Sequence, residues 1–201
     1  MKQRDKAIID DLNRFRCMTR DDIIDLHFQG LKNPITSANM VLKRLRRDGH
    51  IEANLDQQPY LYFSSPSPIK KDSQKAHHFL SIVDFYKQTC PHGVPRSFVV
   101  EPKYGKEFME PDVFMIWKGA PFFVEVQRSV YSEKVMRDKF DRYERYFHSK
   151  EWYKETWQPG NRKVFPYVWL ITPTRYQIEV PFRVFQSSNV EEFMQMISPQ
   201  K

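Results

Sequence analysis

The first part of the chain has hydrophobic residues at helical spacing, interrupted by polar positions. One predicted helix face carries Ile8, Ile9, Leu12 and Phe15. This repeat of 3.6 residues is typical of an amphipathic helix that buries one side. Thr19 stands before two acidic residues and a second apolar stretch, so it predicts the N-cap of another helix. The pattern therefore predicts two short helices before residue 30.

A third helix is predicted from near Pro34 to Gly49, with Thr36 or Ser37 as its cap. Glycine closes helices because it adopts positive φ at little cost, so Gly49 marks the end. The inward positions of this helix are predicted to be Leu42, Leu45 and either Met40 or Val41. Its remaining surface is strongly basic.

Two strand-like stretches follow, residues 51–55 and 60–63, around a turn that contains Asp-Gln-Gln-Pro. Three helices followed by a hairpin is the order of a winged helix-turn-helix, which we assign to residues 1–65. Such a domain inserts its third helix into the major groove of DNA. The predicted DNA contacts are Ser37, Asn39, Lys43, Arg44, Arg46 and Arg47. Two alternatives stay open: the basic residues form a solvated helix face, or the domain binds protein instead.

A stretch rich in Pro, Ser and Lys separates this domain from the rest, and we assign residues 66–74 to a linker. Residues 75–201 then alternate between helical and strand-like patterns. We expect a helix, three strands, a helix capped by Ser132, a strand at 165–172 and a terminal helix. The predicted fold is α+β or α/β, with helices packed on a sheet.

Composition and charge narrow the classes of protein. The chain has 201 residues with 40% hydrophobic residues and a formal net charge of +7. This hydrophobic content excludes a disordered tail, and the basic charge favours an anionic partner such as DNA. Two cysteines are too few for a disulfide framework. No apolar stretch reaches membrane-spanning length and the N-terminal residues do not resemble a signal peptide, so we expect a cytoplasmic protein with no membrane partner.

The sequence PDVFMIWKGAPFFVEVQ, residues 111–127, places two carboxylates inside an apolar hairpin. If Lys118 and Gly119 form a tight turn, Asp112 and Glu125 face each other across the strands, and Gln127 shares their side of the sheet. Two neighbouring anions repel each other unless a cation lies between them. The pattern favours a hard divalent ion such as Mg²⁺ or Mn²⁺. The alternative is structural, with Asp112 starting a strand and Glu125 paired with an arginine.

These residues resemble the PD-(D/E)xK nuclease superfamily. The wider arrangement, a winged helix before this hairpin and a helix containing KFDRYERYF after it, resembles the replication-relaxation family of plasmids and mobile elements. The resemblance implies that Asp112 and Glu125 hold the metal, with Glu101 as an additional acid. Gln127 stands where the motif has lysine, so we expect Gln127 to align the attacking water. A basic residue such as Lys134, Lys139 or Arg128 is the expected source of the missing charge.

The resemblance implies a DNA-binding protein of a plasmid, phage or integrative element that acts in DNA replication or relaxation. Two versions stay open. The protein is a Mg²⁺-dependent DNA endonuclease, or it is a non-enzymatic replication or transcription regulator with a degenerate nuclease fold. Implied partners besides DNA are a second copy of the chain and other replication or transfer proteins of the element.

Overall fold

The computed structural model describes residues 1–56 and 58–198 and has a mixed α+β fold. Gln57, in the predicted turn, lies outside the described residues. The chain divides into two compact units, residues 1–87 and 88–201. Each unit has its own sheet.

The first unit contains the helices that the hydrophobic spacing predicts. They are α1 (Gln3–Phe15), α2 (Arg20–His27) and α3 (Pro34–Arg47). Ile8, Leu12 and Phe15 on α1 are completely buried, which confirms these inward positions, whereas Ile9 is half-buried. Thr19 accepts a hydrogen bond from the backbone N–H of Asp22 and forms a capping box with it, so the predicted cap of α2 is confirmed.

The start of α3 differs from the prediction. Asn33 occupies the N-cap position and Pro34 the first helical turn, while Thr36 and Ser37 lie inside the helix. Proline is suited to this position because its missing N–H would be unpaired there in any case. The inward residues are Ala38, Leu42 and Leu45, whereas Met40 is 69% exposed.

A three-stranded sheet completes the first unit. It contains β1 (Met18–Thr19), β2 (Ile51–Asn54) and β3 (Leu61–Ser64) in the order β1-β3-β2, with antiparallel pairing. The hairpin of β2 and β3 was predicted. The two-residue strand β1 was not, because so short a segment has no measurable periodicity.

The first unit also includes most of α4 (Lys75–Thr89), which follows the stretch predicted as a linker. Lys87 Nζ donates to Asp22 at 2.7 Å and to Asp25 at 2.8 Å. The Cys17 thiol lies 3.6 Å from the carbonyl of Ala76. These contacts hold α4 on α2 and on Cys17, and the first compact unit extends to residue 87.

The second unit is built on a five-stranded sheet in the order β4-β5-β6-β7-β8. Its strands are β4 (Ser97–Val100), β5 (Val113–Trp117), β6 (Ala120–Val126), β7 (Tyr167–Ile171) and β8 (Val184–Ser187). The first three strands are antiparallel neighbours, and β7 and β8 join in parallel. Strand β8 was not predicted, since its side chains are mostly half-buried and show no clear alternation.

Two helices of the second unit match their predictions. They are α5 (Glu133–Ser149), capped by Ser132, and α6 (Val190–Ile197), capped by Asn189. Helix α5 buries Met136, Phe140, Tyr143 and Tyr146 in the core that covers the sheet. No helix among the described residues is long and apolar enough to span a membrane.

Candidate functional site

The β5–β6 hairpin has the predicted register. Lys118 and Gly119 both have positive φ, 50° and 80°, as a two-residue type I′ turn requires. Val113 lies opposite Val124, so the next positions along the two strands are Asp112 and Glu125. Asp112 Oδ2 accepts a hydrogen bond of 2.7 Å from the backbone N–H of Val126, which holds this carboxylate at the end of the hairpin.

Glu125 is a carboxylate almost without solvent contact, with 1% of its surface exposed. Both of its oxygens are hydrogen-bonded by side chains from α5. Lys139 Nζ donates to Oε2, and the Tyr143 hydroxyl donates to Oε1 at 2.7 Å. A buried charge needs this kind of compensation because it has lost its hydration.

Burial is the largest influence on the pKa of Glu125. It raises the pKa of Glu125 to about 7, and the charge of Asp112 adds to the increase, although the Lys139 ammonium opposes it. Burial alone would lower the pKa of Lys139. The carboxylates of Glu125 and Asp112 outweigh that effect and raise it, so Lys139 stays charged at neutral pH.

Gln127 lies on the same side of the sheet as Glu125, as predicted, but it is buried against α5. Its Nε2 lies 3.1 Å from Met136 Sδ. Its Oε1 is buried and accepts no hydrogen bond from any residue that the structure describes. An acceptor left unpaired in this way costs about 1–3 kcal/mol. Gln127 is therefore buried at the position where the sequence predicts a residue that aligns a water. That role stays a prediction.

Glu101 is joined to Asp112 through the backbone, since its N–H donates to the Asp112 carbonyl at 2.9 Å. Its φ of 47° takes it out of the regular strand. Within residues 1–56 and 58–198 no group of three or more His, Cys, Asp or Glu is arranged to hold a metal ion. The donors that fit a hard cation are the carboxylates of Asp112 and Glu125 and the unpaired Oε1 of Gln127. Mg²⁺ often uses one or two protein carboxylates and completes its octahedron with water and phosphate.

The sequence left open which basic residue supplies the positive charge beside Asp112 and Glu125. Of the three basic residues considered, Lys139 contacts Glu125, whereas Arg128 and Lys134 are exposed. Lys139 lies three residues after Met136 and four before Tyr143, on the side of α5 that faces the sheet. From this spacing, the sequence alone could have predicted that Lys139 faces the sheet. Glu125 and Lys139 line an open pocket of about 340 Å³, together with Glu110, Asp138 and Arg142.

The exposed face of α3 is the second candidate site. Asn39, Lys43 and Arg46 are exposed, and Ser37 is half-buried. Neither Lys43 nor Arg46 forms an ion pair with another residue of the described chain. Two apolar side chains share this face, Ile35 at 54% and Met40 at 69% exposure.

Arg44 and Arg47 behave differently from these two cations. Arg44 donates to Asp5 of α1 at 2.8 Å, and Asp5 is only 1% exposed. The guanidinium lowers the pKa of the Asp5 carboxyl. Arg47 contacts its neighbour Asp48 at 2.9 Å. Arg44 therefore joins α3 to α1, and its guanidinium is already paired with Asp5. The expected contact of Arg44 with DNA stays a prediction.

Comparisons of the chain with protein-family models, with curated proteins and with solved structures found no match. The functional assignment therefore depends on the chain's own residues and their geometry.

Proposed function

We propose that this protein binds DNA through its first unit and hydrolyses a phosphodiester bond at Asp112 and Glu125 in its second unit. In this proposal it is a replication-relaxation protein of a plasmid, phage or integrative element. The observation that carries the proposal is the meeting of two strand-end carboxylates with Lys139. This set contains both acids and the lysine that a PD-(D/E)xK site requires, with the lysine supplied by α5 and not by position 127.

The first unit supports DNA binding through its topology and the surface of α3. In this proposal the order of α1, β1, α2, α3, β2 and β3 is interpreted as that of a winged helix-turn-helix. Its third helix exposes Asn39 toward its N-terminal half and Lys43 and Arg46 toward its C-terminal half. In a major groove, an amide can read base edges, while cations neutralise phosphates.

The residues of the second unit have separable roles in the proposed hydrolysis. Asp112 and Glu125 would hold Mg²⁺ or Mn²⁺, which when bound lowers the pKa of water and neutralises charge on the phosphate. The Val126 N–H orients Asp112, and the Tyr143 hydroxyl orients Glu125. Lys139 can turn its ammonium from Glu125 to the phosphate, because part of its side chain, 27%, remains exposed. There it stabilises charge that develops in the transition state.

The test is cleavage of supercoiled, linear and single-stranded DNA with Mg²⁺ or Mn²⁺, with DNA binding measured alongside. We expect the wild-type protein to cleave and Asp112→Asn to bind without cleaving. Asp141→Asn is the matched control, because Asp141 is an exposed acid on α5 outside the pocket of Glu125. Cleavage that persists in Asp112→Asn would assign the activity to a contaminant or to another site.

One observation favours a second candidate, a non-enzymatic DNA-binding replication or transcription regulator. Both oxygens of Glu125 already accept hydrogen bonds from Lys139 and Tyr143, so its charge is compensated without a metal. This candidate predicts DNA binding without cleavage under every metal condition. A homodimer on a palindromic site and contacts with other replication or transfer proteins suit either candidate.

A further inference from the structure

A basic groove lies at the end of the second unit's sheet opposite to Asp112 and Glu125. Its volume is about 730 Å³. Its walls come from the start of β4, the β5–β6 turn and the loop before β7, and its cationic side chains are Arg96, Lys118 and Arg162. No Asp or Glu is present among its described lining residues.

The three cations differ from Lys139 and Arg142 of α5 in lacking acidic partners. Lys139 is paired with Glu125 and Arg142 with Glu110. In contrast, Arg96, Lys118 and Arg162 are exposed and form no ion pair with any described residue. No described carboxylate neutralises these charges, although Lys118 Nζ lies 5.4 Å from the centre of the Trp117 ring. Their grouping in one groove favours an anionic ligand.

The loop that carries Arg162 is braced by the side chain of Gln158. Gln158 Nε2 donates to the carbonyls of Trp152 and Val164, and its Oε1 accepts from the Val164 N–H. On the same loop the ring of Trp157 packs 5.2 Å from that of Phe114. The groove is therefore built on a braced loop and a sheet, which gives its cations a defined arrangement.

The groove and the acidic site are separate positions on one sheet. Strand β6 starts beside the groove at Ala120 and reaches Glu125 near its other end. At about 3.4 Å per residue, this segment spans about 17 Å. The groove is therefore a contact surface separate from the site of Glu125.

We propose that this groove binds the phosphate backbone of DNA, as a contact separate from both α3 and the acidic site. Lysine and arginine only donate hydrogen bonds, and phosphate oxygens only accept them. The three cations come from separate chain segments and are all exposed, an arrangement that suits successive phosphates of a polymer better than one enclosed phosphate group. This proposal rests on the proposed function, because its ligand is DNA. The experiment below distinguishes an error in the groove assignment from an error in the proposed function.

The test is the salt dependence of DNA affinity for the full chain, measured by fluorescence anisotropy. The variant combines Arg96→Gln, Lys118→Gln and Arg162→Gln. With a duplex of about 30 base pairs, each lost phosphate contact lowers the slope of log K against log salt by about 0.9, so the triple variant should lose about 2.7. The control combines Lys103→Gln, Lys106→Gln and Lys150→Gln, which removes the same charge from exposed lysines of the second unit that lie outside the groove and form no ion pair with a described residue.

A reduced slope in the groove variant with an unchanged slope in the control would support the proposal. An unchanged slope in both variants, with wild-type DNA binding intact, would overturn the groove alone. An equal reduction in both would also overturn it, because the effect would then be one of net charge. Absence of DNA binding by the wild-type protein would refute the proposed function and with it this ligand. Circular dichroism and melting temperature verify that the variants are folded.

Discussion

Removal of the ammonium beside Glu125 should destabilise the second unit in a strongly pH-dependent way. In Lys139→Met the aliphatic part of the side chain is retained, but Glu125 keeps only the Tyr143 hydroxyl as a side-chain partner. Removing one partner of a buried ion pair costs up to about 3–5 kcal/mol, and less where the carboxylate left behind can bind a proton. This is a large part of the 5–15 kcal/mol by which a typical domain is stable.

The direction of the pH effect follows from the raised pKa of Glu125. This carboxyl has a pKa of about 7 in the folded protein, against an ordinary value of 4.5. The folded state therefore holds the proton more tightly, and stability falls as pH rises from 4.5 through 7. The difference corresponds to about 3 kcal/mol in the wild type. Loss of Lys139 removes an influence that lowers this pKa, so the variant loses further stability and does so up to a higher pH.

The assay is urea unfolding of wild type and variant between about pH 5 and about pH 8.5, in the presence of a chelator. At the low end Glu125 is protonated and the substitution should cost about 1 kcal/mol or less. At the high end the cost should reach about 3 kcal/mol in total. About pH 8.5 lies about 1.5 units above the Glu125 pKa of about 7, which adds about 2 kcal/mol before the unpaired carboxylate takes up a proton instead. Lys134→Met is the matched control, since Lys134 is an exposed lysine on the same helix.

A double variant decides whether the carboxylate charge causes the loss. Lys139→Met with Glu125→Gln contains no buried anion at this position, so most of the stability at high pH should return. Equal destabilisation of Lys139→Met at both ends of the pH range would refute the reasoning. So would a double variant as unstable at high pH as the single one.

Three further predictions concern other residues. Lys43→Gln should lower the salt slope of DNA binding by about 0.9 without changing stability. Arg44→Gln should lower the melting temperature, because the buried Asp5 then keeps only the Lys2 N–H and loses its compensating cation; a variant Arg44→Gln of unchanged stability and reduced salt slope would contradict this. Mg²⁺ should raise the melting temperature of the wild-type protein and have little effect on Asp112→Asn, as differential scanning fluorimetry will show. Cys17 should not react with a thiol reagent at about pH 8 in folded Cys90→Ser protein, because burial and the charge of Asp22 raise the pKa of Cys17 to about 12; rapid reaction without denaturant would contradict this.

Local patterns in the sequence predicted much of the secondary structure. Helices α1 and α5 and the cap at Thr19 depend on interactions within a few residues, and such interactions are readable from spacing. The opposition of Asp112 and Glu125 was also predictable, since a two-residue turn fixes which residues face each other along both strands. Strands β1 and β8 were missed because their pairing depends on neighbours elsewhere in the chain.

The sequence by itself thus determined the helices, the β5–β6 register and the presence of two carboxylates at one end of that hairpin. Only the tertiary structure decided which cation pairs with each buried carboxylate. Lys139 reaches Glu125 because α5 packs on the sheet, and Arg44 reaches Asp5 because α3 packs on α1. The physical reason is that charge compensation depends on distances between residues far apart in sequence, and these distances are set by the packing of whole elements.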